Sequence, residues 1–265
     1  VLIQLNQSLP EPLVDNFFVG EITYTPTIDL LGRLTNAFNH LEDWEDINLK
    51  FPPIYYIYGP PGTGKTTSLK NTIIKLTKDN PNFKILVLTP TNKACDVLAE
   101  KLYDNNYSSF LRLSSQTSTI LPEDMYTNEL TDILFDSLNV LISTIHRHSY
   151  FKVNTEHSQY FLYNYKEWDK IIIDEASMIN LPYITFSSLI TQQNNANCQV
   201  IIAGDPKQIP PVPELKDAEI EEIGVETENI YSMFGLRSFD KETQKSEIRV
   251  VDSVDNLDIQ FRSLP

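Results

Sequence analysis

A glycine-rich segment at residues 59–67 has the residue types and spacing that bind phosphate groups, in the pattern G-x-x-x-x-G-K-[ST]. Glycines allow backbone N–H groups to surround phosphate oxygens, and a helix that starts at the segment adds the positive end of its dipole. We expect Lys65 to reach the β- and γ-phosphates of a nucleoside triphosphate and the Thr66 hydroxyl to bind Mg²⁺. The predicted nucleotide site comprises Gly59, Pro60, Pro61, Gly62, Thr63, Gly64, Lys65, Thr66 and Thr67.

Two adjacent carboxylates, Asp174 and Glu175, follow an apolar run at 171–173 and supply the second half of such a site. Asp174 suits the coordination shell of Mg²⁺, and Glu175 is placed to orient or deprotonate an attacking water molecule. Gln208 follows a further apolar run, and an uncharged amide there can sense the γ-phosphate and the water. A kinase that phosphorylates a small molecule does not need the adjacent glutamate in this role, so the pattern favours hydrolysis over transfer.

These side chains need elements that carry them to one edge of a fold. Short apolar runs predict β-strands, and intervening stretches with helical spacing predict α-helices. Their alternation predicts an α/β fold, a parallel sheet with helices on both faces and a binding crevice at the carboxyl ends of the strands. The strands are predicted at 54–58, 84–88, 110–113, 140–142, 170–173 and 200–203, and the helices at 27–46, 65–78 and 92–103.

Length and composition place the chain among ordinary globular proteins. Its 265 residues, 41% of them hydrophobic and 22% charged, are enough to bury a sizeable core. Residues 1–20 lack the features of a secretory signal, and the longest apolar runs are too short to cross a bilayer. Cys95 and Cys198 have no spacing typical of a metal site or a disulfide framework. We therefore expect a cytoplasmic or nuclear protein that is not secreted and has no membrane partner.

The net charge of −15 is unusual for a protein that binds nucleic acid, because such proteins are usually basic. Acidic residues are concentrated at 42–46 and 214–228, and runs of this kind are typical of solvated surface. They leave room for a locally basic groove. They also favour an alternative function, a nucleotide-dependent switch or assembly ATPase that binds protein partners through acidic surfaces.

Several segments resemble the motifs of superfamily 1 helicases and occur in that family's order. Thr-Pro-Thr-Asn-Lys-Ala at 89–94 resembles motif Ia, and Ser-Thr-Ile-His-Arg at 143–147 resembles motif Ic. Asp-Glu-Ala-Ser-Met at 174–178 resembles motif II, and the segment at 204–212, which begins Gly-Asp-Pro-Lys-Gln, resembles motif III. Residues 257–263 resemble the start of motif IV.

The resemblance implies a P-loop NTPase of the RecA-like type, the first motor domain of a helicase that hydrolyses ATP with Mg²⁺. Single-stranded DNA or RNA is the implied partner. Movement 5′→3′ is implied too, since the RecD and Dda branch and the RNA-surveillance branch, which these motifs most resemble, share it. Nucleic-acid contacts are assigned to Thr89, Pro90, Thr91, Asn92, Thr144 and His146, and catalytic roles to Lys65, Glu175, Gln208 and Arg262.

The same residues have structural alternatives. Thr91 or Asn92 is also suited to cap a helix, and a histidine at a strand end is often a structural residue. The side chains of Tyr103, Tyr107, Phe110 and Arg112 suit either stacking on bases or the packing of a small core, and burial tendency favours the core.

The domain organisation that we predict has three parts. Residues 1–50 form an N-terminal extension and residues 51–250 the first motor domain, with a small accessory insertion at 104–138. Residues 251–265 are the start of a second motor domain, so we interpret the chain as a fragment. We expect the fragment alone to bind ATP weakly, to hydrolyse it slowly and not to unwind a duplex.

Overall fold

The structure is a computed structural model that describes residues 2–5, 20–25, 54–59, 62–165, 168–205, 208, 211, 230–233, 237–240 and 245–248. The predicted helix at 27–46, the acidic run at 214–228 and the segment at 251–265 lie outside the described residues. Within the described part of the chain, no helix is long and apolar enough to span a membrane.

The described residues include fourteen strands and seven α-helices, together with two 3₁₀ turns at Glu123–Met125 and Ala176–Met178. The strands are β1 (Leu2–Leu5), β2 (Gly20–Thr25), β3 (Ile54–Tyr58), β4 (Ile85–Thr89), β5 (Phe110–Leu113), β6 (Tyr126–Thr127), β7 (Leu130–Thr131), β8 (Val140–Thr144), β9 (Lys152–Asn154), β10 (Gln159–Phe161), β11 (Lys170–Ile173), β12 (Gln199–Gly204), β13 (Arg237–Asp240) and β14 (Lys245–Ile248). The helices are α1 (Lys65–Asp79), α2 (Asn92–Asp104), α3 (Asp132–Ser137), α4 (Ile145–His148), α5 (Leu162–Tyr165), α6 (Leu181–Asn194) and α7 (Ile230–Met233).

A nine-stranded sheet lies at the centre, with the order β1-β2-β3-β12-β11-β4-β8-β5-β6. Every pair from β3 to β6 is parallel, and β2 joins β3 in the antiparallel direction. Parallel neighbours require crossover connections, and helices α1, α2 and α6 lie in three of these connections. The predicted α/β fold with a parallel sheet is confirmed.

The central sheet is covered on both faces, because alternate residues along a strand pack into two different buried clusters. On β4, Leu86 and Leu88 join one buried cluster, while Ile85 and Val87 join the other. The second cluster is completed by the apolar sides of α1 and α2, and the first by residues that include Ile184 of α6. Strands buried on both faces read as continuous apolar runs, which is why their periodicity in the sequence resembles neither an exposed strand nor a helix.

The ends of the first two helices follow from local sequence. Helix α1 begins at Lys65, directly after Gly64, whose φ of 90° lies in the left-handed region. Helix α2 begins after Thr91, whose hydroxyl oxygen accepts a hydrogen bond from the backbone N–H of Ala94 at 3.2 Å. Such a cap satisfies one of the backbone donors that a helix start leaves without a partner inside the helix.

Residues 104–138, where we expect an accessory insertion, contribute to both sheets of this region. Strands β5 and β6 extend the central sheet, and β7 pairs with β9 in a three-stranded sheet of order β10-β9-β7. Phe110 and Arg112 are buried, and Tyr107 stacks on Phe110 with the ring centroids 6.5 Å apart. These three side chains therefore pack within the protein, and only the exposed Tyr103 faces solvent.

Candidate functional site

The order of three neighbouring strands brings the nucleotide-site residues to one edge of the sheet. Strand β12 lies between β3, which leads into the glycine-rich segment, and β11, which leads into Asp174. The backbone N–H of Gly59 donates to the carbonyl of Gly204 at 3.3 Å, so the loops that follow β3 and β12 start side by side. Because parallel strands end at the same edge, Lys65, Asp174 and Gln208 all follow strands at that edge.

The glycine-rich segment is shaped by two residues with positive φ. Gly62 and Gly64 have φ values of 87° and 90°, which residues with a Cβ atom rarely adopt. A Cβ atom at Gly64 would meet no atom within 4 Å, so glycine is needed there for its backbone conformation rather than for space. Pro60 and Pro61 lie outside the described residues.

Lys65 is held over this segment, since its ammonium donates to the carbonyl of Gly59 at 2.7 Å and its side chain is buried. Thr63 is buried, Thr66 is half-buried, and Thr67 is exposed. The Thr67 hydroxyl accepts a hydrogen bond from the Lys101 ammonium of α2 at 2.9 Å, a contact that sequence spacing does not indicate.

Asp174 is a buried carboxylate at the end of β11, with 2% of its surface exposed. One of its oxygens accepts the backbone N–H of Glu175 at 2.9 Å. Burial raises the pKa of Asp174 to about 7, and the charge of Glu175 adds to this effect, while Lys65 and Lys101 oppose it. The site therefore concentrates negative charge where it is poorly solvated, a condition that a cation would relieve.

Glu175 has an unusual backbone, with φ 53° and ψ 40° in the left-handed region. For a residue with a Cβ atom this conformation costs about 1–2 kcal/mol. Its Oε2 atom is buried and has no hydrogen-bond partner among the described residues. A strained backbone that presents a buried acceptor is typical of functional positions rather than of structural ones.

Gln208 is tied to the turn that follows the carboxylates. Its side-chain oxygen accepts a hydrogen bond from the Ser177 hydroxyl at 3.2 Å, and its backbone N–H donates to the carbonyl of Asp205 at 3.0 Å. Ser177 is fully buried, two residues after Glu175. Ser177 has no predicted role of its own, because nothing in the sequence spacing pairs it with Gln208. The fourth predicted catalytic residue, Arg262, lies outside the described residues.

The segments predicted to contact nucleic acid follow the next two strands of the sheet. Thr89 and Thr144 end the adjacent strands β4 and β8 and are paired in register, so the two segments begin level with each other. Thr91 and Asn92 are exposed at the start of α2, and Pro90 is half-buried. Thr89 is fully buried, and its hydroxyl donates to the carbonyl of Thr91 at 2.8 Å, which places it beneath the loop surface.

On the second segment, His146 is exposed and Thr144 is half-buried. The His146 ring lies edge-on to Tyr183 of α6, with centroids 4.4 Å apart. The neighbouring Arg147 is directed inwards, because its guanidinium donates to the carbonyl of Leu113 at 2.8 Å and to the Asn128 side chain at 3.2 Å. Of this segment's charged or aromatic side chains, His146 is therefore the one placed to meet a ligand.

The buried histidine at the end of α4, His148, is predicted to make stability depend on pH. It is fully buried beside Ser187, with Nδ1 3.0 Å from the hydroxyl oxygen, and near the rings of Tyr163 and Phe186. Burial lowers the pKa of His148 from 6.5 to about 4. In the unfolded chain His148 therefore binds a proton as the pH falls below 6.5, whereas in the folded chain it binds one only near pH 4. We expect full stability above pH 6.5 and a loss of roughly 3 kcal/mol as the pH falls to 4.

Urea unfolding at pH 7 and pH 4 measures this loss when the protein is compared with His148→Gln, which cannot titrate in this range. His157→Gln serves as the control, because that side chain is 88% exposed. An identical pH dependence in the protein and in His148→Gln would contradict the assignment.

Comparison with known proteins adds a family and several relatives. Residues 49–214 match the AAA domain family. DNA polymerase alpha-associated DNA helicase A of Saccharomyces cerevisiae is 23% identical over 278 aligned positions, which cover 82% of this chain and 39% of that protein. The RecBCD enzyme subunit RecD of Buchnera aphidicola is 29% identical over 192 positions, covering 72% of this chain and 28% of that one. RNA helicase Mov10l1 of Mus musculus is 26% identical over 170 positions, covering 61% and 14%.

The matched region begins just before β3 and ends at residue 214, so it encloses all the described site residues. The chain spans at most 39% of the length of these three relatives.

Proposed function

The chain belongs to the AAA domain family, and from this premise we propose that it is the first motor domain of an ATP-dependent nucleic-acid helicase. The family match and the helicase relatives agree with the resemblance to superfamily 1 helicases drawn from the motifs. The observation that carries the proposal is the strand order. It gathers Lys65, Glu175 and Gln208 at the ends of β3, β11 and β12, and it sets Asn92 and His146 after the next two strands along the same edge.

Each residue of the site has a role in ATP binding or hydrolysis that follows from its position. Backbone N–H groups of the glycine-rich segment and the start of α1 bind the phosphates of ATP, and Lys65 exchanges its contact with Gly59 for a phosphate oxygen. Glu175 presents its buried Oε2 to the attacking water and accepts its proton. Gln208, tied to the turn after Glu175 through Ser177, orients that water and responds to the γ-phosphate.

The residues fit a Mg²⁺ ion beside the phosphates. Asp174 and Thr66 offer oxygen donors, which Mg²⁺ prefers, and the buried pair of Asp174 and Glu175 is a site where positive charge is favourable. Held by Asp174 and Thr66, Mg²⁺ would supply positive charge that offsets the negative charge developing on the phosphate during hydrolysis.

The proposed nucleic-acid partner is bound by the segments at 89–94 and 143–147. Thr91, Asn92, Thr144 and His146 contact a single strand of DNA or RNA, and movement along it is 5′→3′, as in the helicase branches whose motifs these segments resemble. A second motor domain of the same protein closes the ATP site and supplies cations such as Arg262 to the transition state.

A measurement of ATP hydrolysis by the intact protein, with and without single-stranded DNA and single-stranded RNA, tests the proposal. We expect a severalfold rise in turnover with at least one strand type, because a motor couples hydrolysis to strand binding. Duplex DNA of the same sequence is the control. The absence of stimulation by either strand would exclude the motor and favour the alternative, a nucleotide-dependent switch that binds proteins through its acidic surfaces.

A further inference from the structure

Arg112 is a charged residue in the interior of the protein, with none of its surface exposed. It lies on β5, where alternation along the strand directs Phe110 and Arg112 to the face covered by α2. Its guanidinium donates to Asp96 of α2 at 3.2 Å and to the carbonyl of Leu113 at 2.9 Å. A third hydrogen bond reaches the side-chain oxygen of Asn92 at 2.6 Å.

This buried pair is held in one geometry. The second oxygen of Asp96 accepts a hydrogen bond from the Thr117 hydroxyl at 2.7 Å, so both partners of the ion pair have further contacts. A planar guanidinium offers its donors in fixed directions, so an arginine anchored on Asp96 and Leu113 cannot rotate towards another partner at the third position. Asn92 therefore meets a donor whose position is already determined.

The chemistry of this contact fixes the orientation of the Asn92 amide. Arginine carries donors only, so its neighbour must present an acceptor, and the asparagine oxygen therefore points inwards to Arg112. The amide nitrogen is the other terminal atom of the same planar group, so it does not share the oxygen's contact with Arg112. Asn92 is exposed at the start of α2, so its outward side offers N–H donors to solvent.

The carbonyl of Leu113 connects the hydrogen bonds of Arg112 to the segment at 143–147. It accepts hydrogen bonds from Arg112 at 2.9 Å and from Arg147 at 2.8 Å. Arg147 directly follows His146, the exposed ring of that segment. One carbonyl at the end of β5 is thus shared by Arg112, which contacts Asn92, and by Arg147, the neighbour of His146.

We propose that Arg112 is a positioning residue for nucleic-acid binding, which holds the Asn92 amide with its nitrogen outwards as a donor to acceptor oxygens of a single strand. Phosphate and sugar oxygens are acceptors, and they make up a large share of protein contacts to nucleic acid. The inference rests on the proposed motor function, because it concerns the same strand site.

Asn92→Asp is the variant that separates positioning from structure. Aspartate keeps an acceptor for Arg112 and adds an acid to the first turn of α2, and these two gains offset its repulsion from Asp96 one turn away. It replaces the outward donor with an oxygen that repels phosphate. We expect the thermal unfolding temperature to stay the same or rise, while affinity for a single strand of poly-dT or poly-rU falls about tenfold or more.

Two further variants complete this set. Asn92→Ala removes the donor without adding a charge, and we expect a smaller loss of strand affinity, about threefold to fivefold. Asn105→Asp, at the other end of α2, changes the net charge equally and should leave strand affinity unchanged. If Asn92→Asp bound strands as tightly as the wild-type protein, the outward-donor assignment would be overturned.

The role of Arg112 is tested by combining variants. Arg112→Lys retains the charge beside Asp96 but replaces the fork with a single ammonium, so the bond to Asn92 is the one expected to be lost. We expect a loss of about threefold in strand affinity in the wild-type background and no further loss in the Asn92→Ala background. Equal losses in both backgrounds would show that Arg112 does not act through Asn92.

Strand binding by the wild-type protein, measured in the same titration, distinguishes failure of the motor function from failure of the positioning role of Arg112. If it binds strands, an unchanged Asn92→Asp variant rejects the positioning role and leaves the motor function in place. If it binds no strand of either type, the motor function fails and the positioning role fails with it.

Discussion

Replacing Lys65 with alanine is expected to abolish ATP binding and hydrolysis together. The ammonium of Lys65 is buried and contacts the carbonyl of Gly59, so its position over the glycine-rich segment is set before nucleotide arrives. Loss of one such preorganised contact to developing charge typically costs a factor of about 100–1000 in turnover. Titration with a fluorescent ATP analogue and steady-state hydrolysis of ATP measure the two losses.

Lys75→Ala is the matched control, because Lys75 lies on the same helix and is exposed to solvent. It removes an equal charge and should leave both measurements unchanged. A Lys65→Ala protein that hydrolysed ATP at the wild-type rate would show that the phosphate site lies elsewhere.

Replacing Glu175 with glutamine is expected to separate binding from chemistry. Glutamine has nearly the same shape and can keep the left-handed backbone, but it cannot take a proton from water. A positioned general base contributes about 100–10,000-fold to a rate, so turnover should fall by that order while ATP affinity is retained. Equilibrium binding and single-turnover hydrolysis, measured on the same preparation, test both parts.

Glu156→Gln provides the comparison for this variant, since that side chain is 88% exposed and distant in sequence from the site. It should behave as the wild-type protein does in both assays. If Glu175→Gln lost ATP binding as well as turnover, Glu175 would be part of the binding site and not the base.

The parts of the site that follow from short segments could be predicted from the sequence. The glycine-rich segment forms its own loop, since positive φ at Gly62 and Gly64 and a helix start at Lys65 are local properties. The apolar run before Asp174 likewise predicts a strand that delivers a carboxylate to the sheet edge. Neither inference requires knowledge of which strands are neighbours.

The contacts that depend on strand order could not be predicted in this way. Nothing in the sequence says that β12 lies between β3 and β11, although this places the loop of Gln208 beside both the phosphate segment and the carboxylates. The bond from Ser177 to Gln208 joins residues 31 positions apart and depends on that order. The order of strands in a parallel sheet is decided by tertiary packing, which short sequence patterns do not reveal.

Thr89 and Arg112 show the same limit on a smaller scale. Strand β4 ends at Thr89, one residue later than predicted, and its pattern of burial carries the Thr89 hydroxyl into the interior. The sequence leaves Arg112 suited either to base stacking or to a small core, and its ion pair with Asp96 of α2 explains why it is buried. Boundaries and buried charges are set by partners remote in sequence.

The left-handed backbone of Glu175 determines how mutation at this position changes thermal stability and activity. Glycine adopts that conformation without strain, so Glu175→Gly relieves about 1 kcal/mol while it deletes the carboxylate. A laboratory selection for heat resistance alone is therefore expected to favour loss of the proposed base at this position. A search for more stable variants of this chain has to measure activity alongside melting temperature, since the proposed role of Glu175 and the stability of its backbone oppose each other.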